Sequence, residues 1–217
     1  MQADGFLART KQGLYDRIMS LDSPIVRTLL RFAGYGDKRT FLLDKLPKNS
    51  IGAEIGVHMG NFSRLVLETV KPEEFHLIDP WKYETSETYK DALYGGLARK
   101  GQAEMDARYA RVRGRFGREI RDGRVTVHRG YSTDVLSKFP DNHFDWIYID
   151  GNHMYDFVKK DLELAYRKTK KGGYIAGDDY SESGWWHAGV KKAVDEFVAA
   201  MPVRLIETRS DQFIIQK

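Results

Sequence analysis

From residue 51 onward the chain alternates short apolar runs with stretches whose apolar residues recur at helical spacing. Runs at 51–56, 74–79, 124–129, 145–150, 173–177, 203–207 and 212–216 have the length of strands. Between them, 61–70, 132–138, 155–169 and 189–200 read as helices. Tyr155, Val158, Leu162 and Ala165 share one helical face, and Val190, Val194, Phe197 and Val198 share another. Regular β-α alternation predicts an α/β fold: a doubly wound, mostly parallel seven-stranded sheet covered on both faces. The last two runs follow one another without a helix, which predicts an antiparallel strand at the C-terminal end.

Two regions depart from that rhythm. Residues 1–47 carry Leu7, Leu14, Ile18, Ile25, Leu29, Leu30 and Phe32 at near-helical spacing, which predicts an N-terminal helical extension or cap preceding a domain at 48–217. Its apolar residues would also suit a homodimer contact. A connection at 81–121 is too long for a simple crossover and reads as a lid-like insertion. Its first half, Trp81-Lys82-Tyr83 through Tyr94-Gly95-Gly96, is aromatic and ends in glycines. Its second half predicts an amphipathic helix, with Met105, Tyr109, Val112, Phe116 and Ile120 on one stripe and Arg108, Arg111, Arg115 and Arg118 on another.

Composition narrows the class. With 217 residues, 41% hydrophobic and 30% charged, the chain suits one globular domain with a small appendage. It has no run long enough for a bilayer span and no secretory signal pattern, so a cytoplasmic protein without a membrane partner is expected. The absence of cysteine excludes disulfides, thiolate zinc sites and a cysteine nucleophile. The net charge is +4, yet residues 99–124 alone hold nine basic and four acidic residues. Such a stretch steers anions or simply solvates a helix face.

The first chemical signal is Glu54-x-Gly56-x-His58-x-Gly60-Asn61, an apolar strand ending in an acid, then a glycine-bearing turn and a helix. Asp79 ends the next strand 25 positions after Glu54, where a carboxylate can accept from both hydroxyls of a ribose. Gly56 would allow a tight turn, Gly60 would relieve crowding at the helix start, and Asn61 or Ser63 would cap the helix. A dinucleotide loop wants Gly-x-Gly-x-x-Gly for its pyrophosphate. Here an acid faces the loop, which suits an ammonium group better than a phosphate. At these residues the chain resembles the class I S-adenosylmethionine-dependent methyltransferases, with their Rossmann-like sheet, across roughly 48–217. The resemblance implies that Glu54 and Gly56 border the methionine portion of S-adenosyl-L-methionine and that Asp79 holds its ribose. It implies further cofactor contacts from His58, Gly60, Asn61 and Asp150, and places Tyr131 and Ser132 near the adenine. His58 stands where the class usually has a glycine.

The second signal is Ile149-Asp150-Gly151-Asn152-His153-Met154-Tyr155 followed by Gly177-Asp178-Asp179-Tyr180. Both acidic groups end predicted parallel strands, so they meet at the carboxyl edge of the sheet, where ligands bind in open α/β sheets. Carboxylates crowded there repel one another unless a cation bridges them, and Mg2+ takes oxygen ligands. With Gly189-Val190-Lys191-Lys192, these segments look like the macrocin-type small-molecule O-methyltransferases. That resemblance makes Asp150, Asp178 and Asp179 the Mg2+ ligands. His153 and His187 are the candidate general bases, because imidazole titrates near neutrality, and Asp150 joins them as a catalytic candidate. Trp81, Tyr83, Tyr89, Trp185 and Trp186 would stack on an acceptor ring or pack a lid. His76, His128 and His143 fall in strands or a connection and are assigned no chemistry.

Together these features predict methyl transfer to a hydroxyl oxygen of a small molecule, a sugar or phenolic metabolite. The arginine stripe raises a nucleic-acid methyltransferase as the rival, but no Asn/Asp-Pro-Pro-Tyr-type loop and no separate nucleic-acid module accompany it. A nicotinamide oxidoreductase lacks its glycine fingerprint here, and a non-catalytic protein that keeps the fold is the remaining alternative.

Overall fold

The computed structural model describes residues 39–217. The helical extension expected over 1–47 lies outside the described residues, except for its last part, which contains the short helix α1 (Thr40–Leu43). Residues 41–217 cluster as one unit.

The predicted alternation is present. In chain order the elements are β1 (Ile51–Ile55), α2 (Asn61–Thr69), β2 (Glu74–Asp79), α3 (Gln102–Arg115), α4 (Gly117–Arg121), β3 (Val125–Arg129), α5 (Ser132–Leu136), β4 (Phe144–Ile149), α6 (Tyr155–Lys168), β5 (Thr169–Gly177), α7 (Gly189–Ala200), β6 (Arg204–Arg209) and β7 (Gln212–Gln216). Seven strands form one sheet in the order β3-β2-β1-β4-β5-β7-β6. All neighbours are parallel except β7, which runs antiparallel to both β5 and β6. The strand order reverses between β1 and β4, so the crevice at the carboxyl edge opens there, beyond Ile55 and Ile149.

Both faces of the central strands are covered, which explains their continuous apolar runs. In β4, Trp146 and Tyr148 join a core on one face with Phe62, Val66, Phe75 and Phe116, while Ile147 and Ile149 join Leu162, Val194 and Phe213 on the other. Each large side chain buried in this way contributes roughly 1.5–3 kcal/mol. The two layers thereby hold the strand ends, and the acids on them, in fixed register.

Three local expectations are refined. The insertion's helix breaks at Phe116 into α3 and α4, with Phe116 wholly buried at the joint. Strand β5 starts at Thr169, directly after α6, rather than at 173. The β6–β7 hairpin turns on Ser210 and Asp211, both at positive φ (52° and 61°), the backbone of a primed two-residue turn without the usual glycine signal. No helix among the described residues is long and apolar enough to cross a membrane.

Candidate active site

The glycine loop follows β1 and is shaped by close approach rather than by flexibility. Gly56 has φ 88°, and a Cβ there would lie 1.8 Å from the Asp150 carbonyl oxygen. The ends of β1 and β4 are pressed together at this point, tied also by the Asp150 N–H donating to the Ile55 carbonyl at 2.7 Å. His58 takes a left-handed conformation (φ 54°) that glycine adopts more easily. Gly60 (φ 73°) itself caps α2, and no side chain does. The expected caps are otherwise placed: Asn61 Oδ1 accepts from Arg115 Nη1 at 2.6 Å, and Ser63 is wholly buried.

Asp79 closes the other side of this crevice and is 1% exposed. Its Oδ2 accepts from the Val57 N–H at 2.9 Å, the His58 N–H at 3.0 Å and the Tyr94 hydroxyl at 2.5 Å. Its Oδ1 accepts from the Trp81 N–H at 2.7 Å. Burial pushes the carboxyl pKa up, and the hydrogen bonds from Tyr94 and the three backbone groups pull against it. A tyrosine hydroxyl therefore occupies one acceptor of the carboxylate expected to hold a ribose. It comes from the insertion, whose chain winds so tightly that a Cβ on Gly95 would meet the Tyr89 carbonyl oxygen at 1.9 Å. Trp81, expected to stack on a ligand or pack a lid, is wholly buried, and its Nε1–H donates to the His58 carbonyl at 2.9 Å. It is a wall of the loop.

The arginine stripe turns inward at several points. Arg115 donates to the Met59 carbonyl at 2.9 Å and Arg108 to the Leu93 carbonyl at 3.0 Å, while Arg64 of α2 donates to Glu119 at 2.8 Å. Arg108 is nearly buried and also pairs with Glu104. Its cation and, above all, burial hold the His58 pKa down at about 4, so His58 is a neutral imidazole beside the loop.

At the ends of β4 and β5 the acids and a histidine converge. His153 lies between Asp150 and Asp179, with Nε2 3.5 Å from Asp150 Oδ1 and Nδ1 3.2 Å from Asp179 Oδ2. Burial opposes its charge, but the carboxylates of Asp150, Asp179 and Asp178 outweigh that and raise its pKa. Asp150, His153 and Asp179 offer three ligand atoms within 4.8 Å of one another, whereas Asp178 is not part of that group. Asp178 Oδ1 instead accepts from the Asp179 N–H at 2.8 Å and from Gln212 Nε2, and Gln212 in turn accepts from the Tyr148 hydroxyl at 2.7 Å. His187 is exposed, at φ 50°, on the loop that carries Trp185 and Trp186. The ring of Trp186 meets His153 edge-on at 5.0 Å, Trp185 lies 6.0 Å from it, and Tyr89 packs on Trp185 at 5.6 Å. Tyr89 also receives a hydrogen bond from Asn152 Nδ2 at 2.8 Å, so the insertion reaches the acid cluster.

The remaining candidates lie past β3. Tyr131, 39% exposed, accepts from Lys82 Nζ at 2.8 Å. Ser132 Oγ donates to Asp161 Oδ1 at 2.5 Å. Asp161 went unnoticed in the sequence, although a lone acid between Val158 and Leu162 on an apolar helical face was a readable anomaly. It is 3% exposed, and burial pushes its pKa up to about 7 against the pull of the Ser132 hydroxyl. The folded state thus holds this proton more tightly than the unfolded chain. The stability it confers is full below the ordinary carboxylate pKa and declines as pH rises, until it is lost above about 7. Asp161→Asn is therefore expected to gain about 2 kcal/mol relative to the native protein on going from pH 5 to pH 8. Urea unfolding at the two pH values checks this, and a pH-independent difference would contradict it.

Residues 53–180 match the family model described as a methyltransferase domain, more than half of the chain. The chain belongs to the methyltransferase-domain family. It is a class I S-adenosylmethionine-dependent methyltransferase in family and fold, as the sheet order with its antiparallel β7 accords. Among solved structures, the O-methyltransferase NovP is 22% identical, with a TM-score of 0.60 over 84% of this chain and 81% of NovP. A Streptococcus mutans protein assigned as a methyltransferase and solved with SAH is 11% identical, with a TM-score of 0.54 over 83% of this chain and 98% of that one. At these identities the likeness is one of fold. The uncharacterized protein R132 of Acanthamoeba polyphaga mimivirus is 42% identical over 65 residues, which is 30% of this methyltransferase and 28% of the viral protein. The chain thus spans under a third of the length of that curated relative.

Proposed function

We propose that this methyltransferase moves the methyl group of S-adenosyl-L-methionine to a hydroxyl oxygen of a small molecule, a sugar or phenolic metabolite. The observation that carries the reading is adjacency: the glycine loop and the acid–imidazole group are pressed together at Gly56 and Asp150. Whatever lies in the crevice between Glu54 and Asp79 has the His153 cluster next to it.

S-adenosyl-L-methionine would supply a methyl carbon on a positively charged sulfur. The residues present suit it. Buried Glu54 and Asp79 offer carboxylates where an ammonium and a ribose would go, and Asp79 already accepts from one hydroxyl, that of Tyr94. An oxygen acceptor must lose a proton as its lone pair displaces the sulfur. In its neutral form His153 can take that proton on Nε2, and Asp150 and Asp179 then stabilise the imidazolium. Asp178 is oriented by Gln212, and the Tyr89–Trp185–Trp186 aromatics flank the position where an acceptor ring would lie.

The donor set also suits a hard divalent ion, since carboxylates from two strand ends meet there. Asp150 and Asp179 would hold Mg2+, whose charge would lower the pKa of an acceptor hydroxyl, while Asp178 stays turned to Gln212. The inward engagement of Arg108 and Arg115 supports a small-molecule acceptor over a nucleic acid, because these side chains brace the loop and the insertion.

The test is native mass spectrometry of the purified protein for co-purifying S-adenosylhomocysteine. Labelled-methyl transfer to sugars and phenols follows, with and without Mg2+. The expected result is cofactor binding and label on a hydroxyl; no binding of S-adenosylmethionine, or label only on RNA, would overturn the reading.

A further inference from the structure

Away from the crevice, in the amino-terminal half of β2 and at the entrance to β4, three potential ligands converge that methyl transfer does not use. Glu74, His76 and His143 each offer one ligand atom, all within 4.8 Å of one another. Glu74 and Asp79 are the first and last residues of β2, so this cluster sits toward the opposite edge of the sheet from the cofactor loop. The Nε2 atoms of His76 and His143 are both buried without a hydrogen-bond partner among the described residues. Leaving a buried polar atom unsatisfied costs about 1–3 kcal/mol each, so two side by side need an explanation.

We propose that Glu74, His76 and His143 form a binding site for a late first-row divalent cation of the zinc type. Imidazole and carboxylate donors suit such an ion, and a single ion would satisfy both buried nitrogens. Around zinc the bonds are about 2.0–2.2 Å, which puts neighbouring ligand atoms of a tetrahedron about 3.4 Å apart. His76 Nε2 and Glu74 Oε2 are already 3.8 Å apart. Glu74 is the exposed member, with 55% of its side chain open to solvent, which leaves the ion an entry path.

The surroundings supply the support a metal-bound histidine usually has. His76 Nδ1 lies 3.0 Å from His128 Nε2. If Nδ1 carries the proton and donates to His128, then His76 Nε2 presents its lone pair to the ion, the orienting arrangement common around metal-bound imidazoles. His143 is held by its ring stacking on Phe139 at 5.2 Å and by its N–H donating to the Lys168 carbonyl at 2.8 Å. Because β2 and β4 flank β1, an ion here would join strands that share no hydrogen-bonded ladder with each other. Its role would be to fasten the sheet, at a distance from the chemistry.

Calorimetric titration of the metal-stripped protein with Zn2+ and, separately, Mg2+ tests this, alongside thermal melts. Zn2+ is expected to bind and, at a hundredfold excess over Kd, to raise Tm by roughly 5–10 °C. Glu74→Gln and His143→Gln should weaken Zn2+ binding by at least about tenfold. His128→Phe, which removes only the orienting partner, should weaken it by about 10–100-fold. Asp150→Asn should leave this Zn2+ binding and its Tm shift in place. Glu74 is at the surface, so its variant folds even if the histidine variants do not. The proposal is overturned if Zn2+ causes no Tm shift, if Glu74→Gln and His143→Gln bind Zn2+ as the native chain does, or if Asp150→Asn alone abolishes binding. In each of those cases the three rings and their neighbours are aromatic packing only.

Discussion

Replacing Asp79 with alanine is expected to weaken S-adenosylmethionine binding by about 10–100-fold, whereas replacing Tyr94 with phenylalanine is expected to tighten it by about 3–10-fold. The opposite signs follow from one carboxylate. Asp79 is buried, and hydrogen bonds to charged groups contribute about 1.5–3 kcal/mol, so losing it would remove the anchor that the proposed function gives the ribose. Oδ2 already receives three donors, from Val57, His58 and Tyr94. A ribose hydroxyl that bonds Oδ2 would take the place of the Tyr94 hydroxyl, the one donor there that is not part of the loop backbone. Tyr94→Phe removes the competitor at the cost of a single hydrogen bond in the free protein. Calorimetric titration of both variants with the cofactor decides the matter. If Tyr94→Phe weakened binding as much as Asp79→Ala, the tyrosine would be a ligand contact and not a stand-in.

Removing the imidazole of His153 is the second large effect. His153→Ala is expected to lower kcat by about 10²–10⁴-fold, the range lost with a positioned general base. The cofactor Kd should change less than about threefold, because the ring faces Asp150 and Asp179 and not Asp79. His187→Ala should lose far less activity, since His187 is exposed and no interaction ties it to the acid cluster in the way Asp150 and Asp179 hold His153. Steady-state kinetics with the acceptor found by the labelling assay separates the two histidines. Equal losses in both variants would remove His153 from its role.

The parts of this molecule that were legible beforehand share a property: their partners lie along the same element or at the same sheet edge. Strands β4 and β7 carry consecutive apolar residues, 146–149 and 213–215, because both faces are covered, and that pattern is visible in one dimension. Asp79, Asp150, Asp178 and Asp179 stood out because each ends an apolar strand, and the structure brings Asp150 and Asp179 together around His153. What stayed hidden was contact across the chain. Tyr94 reaches Asp79 from 15 residues away through a coil of turns, and its aromatic neighbours gave no reason to single it out. Gln212 meets Asp178 from 34 positions away, an ordinary polar residue at the start of a strand. The caps expected of Asn61 and Ser63 failed because Gly60 took the position and Arg115, 54 residues further on, claimed the Asn61 oxygen. The break of the insertion's helix at Phe116 depends on that ring being buried against the loop, beside Gly60, which helical periodicity does not report.

The strand β7 carries a consequence for how the enzyme comes into being. It is made after β6 yet slots between β5 and β6, and it brings Gln212 to the carboxylate of Asp178. A chain on the ribosome that is still short of residue 212 lacks both the strand that joins β6 to β5 and the side-chain donor to Asp178.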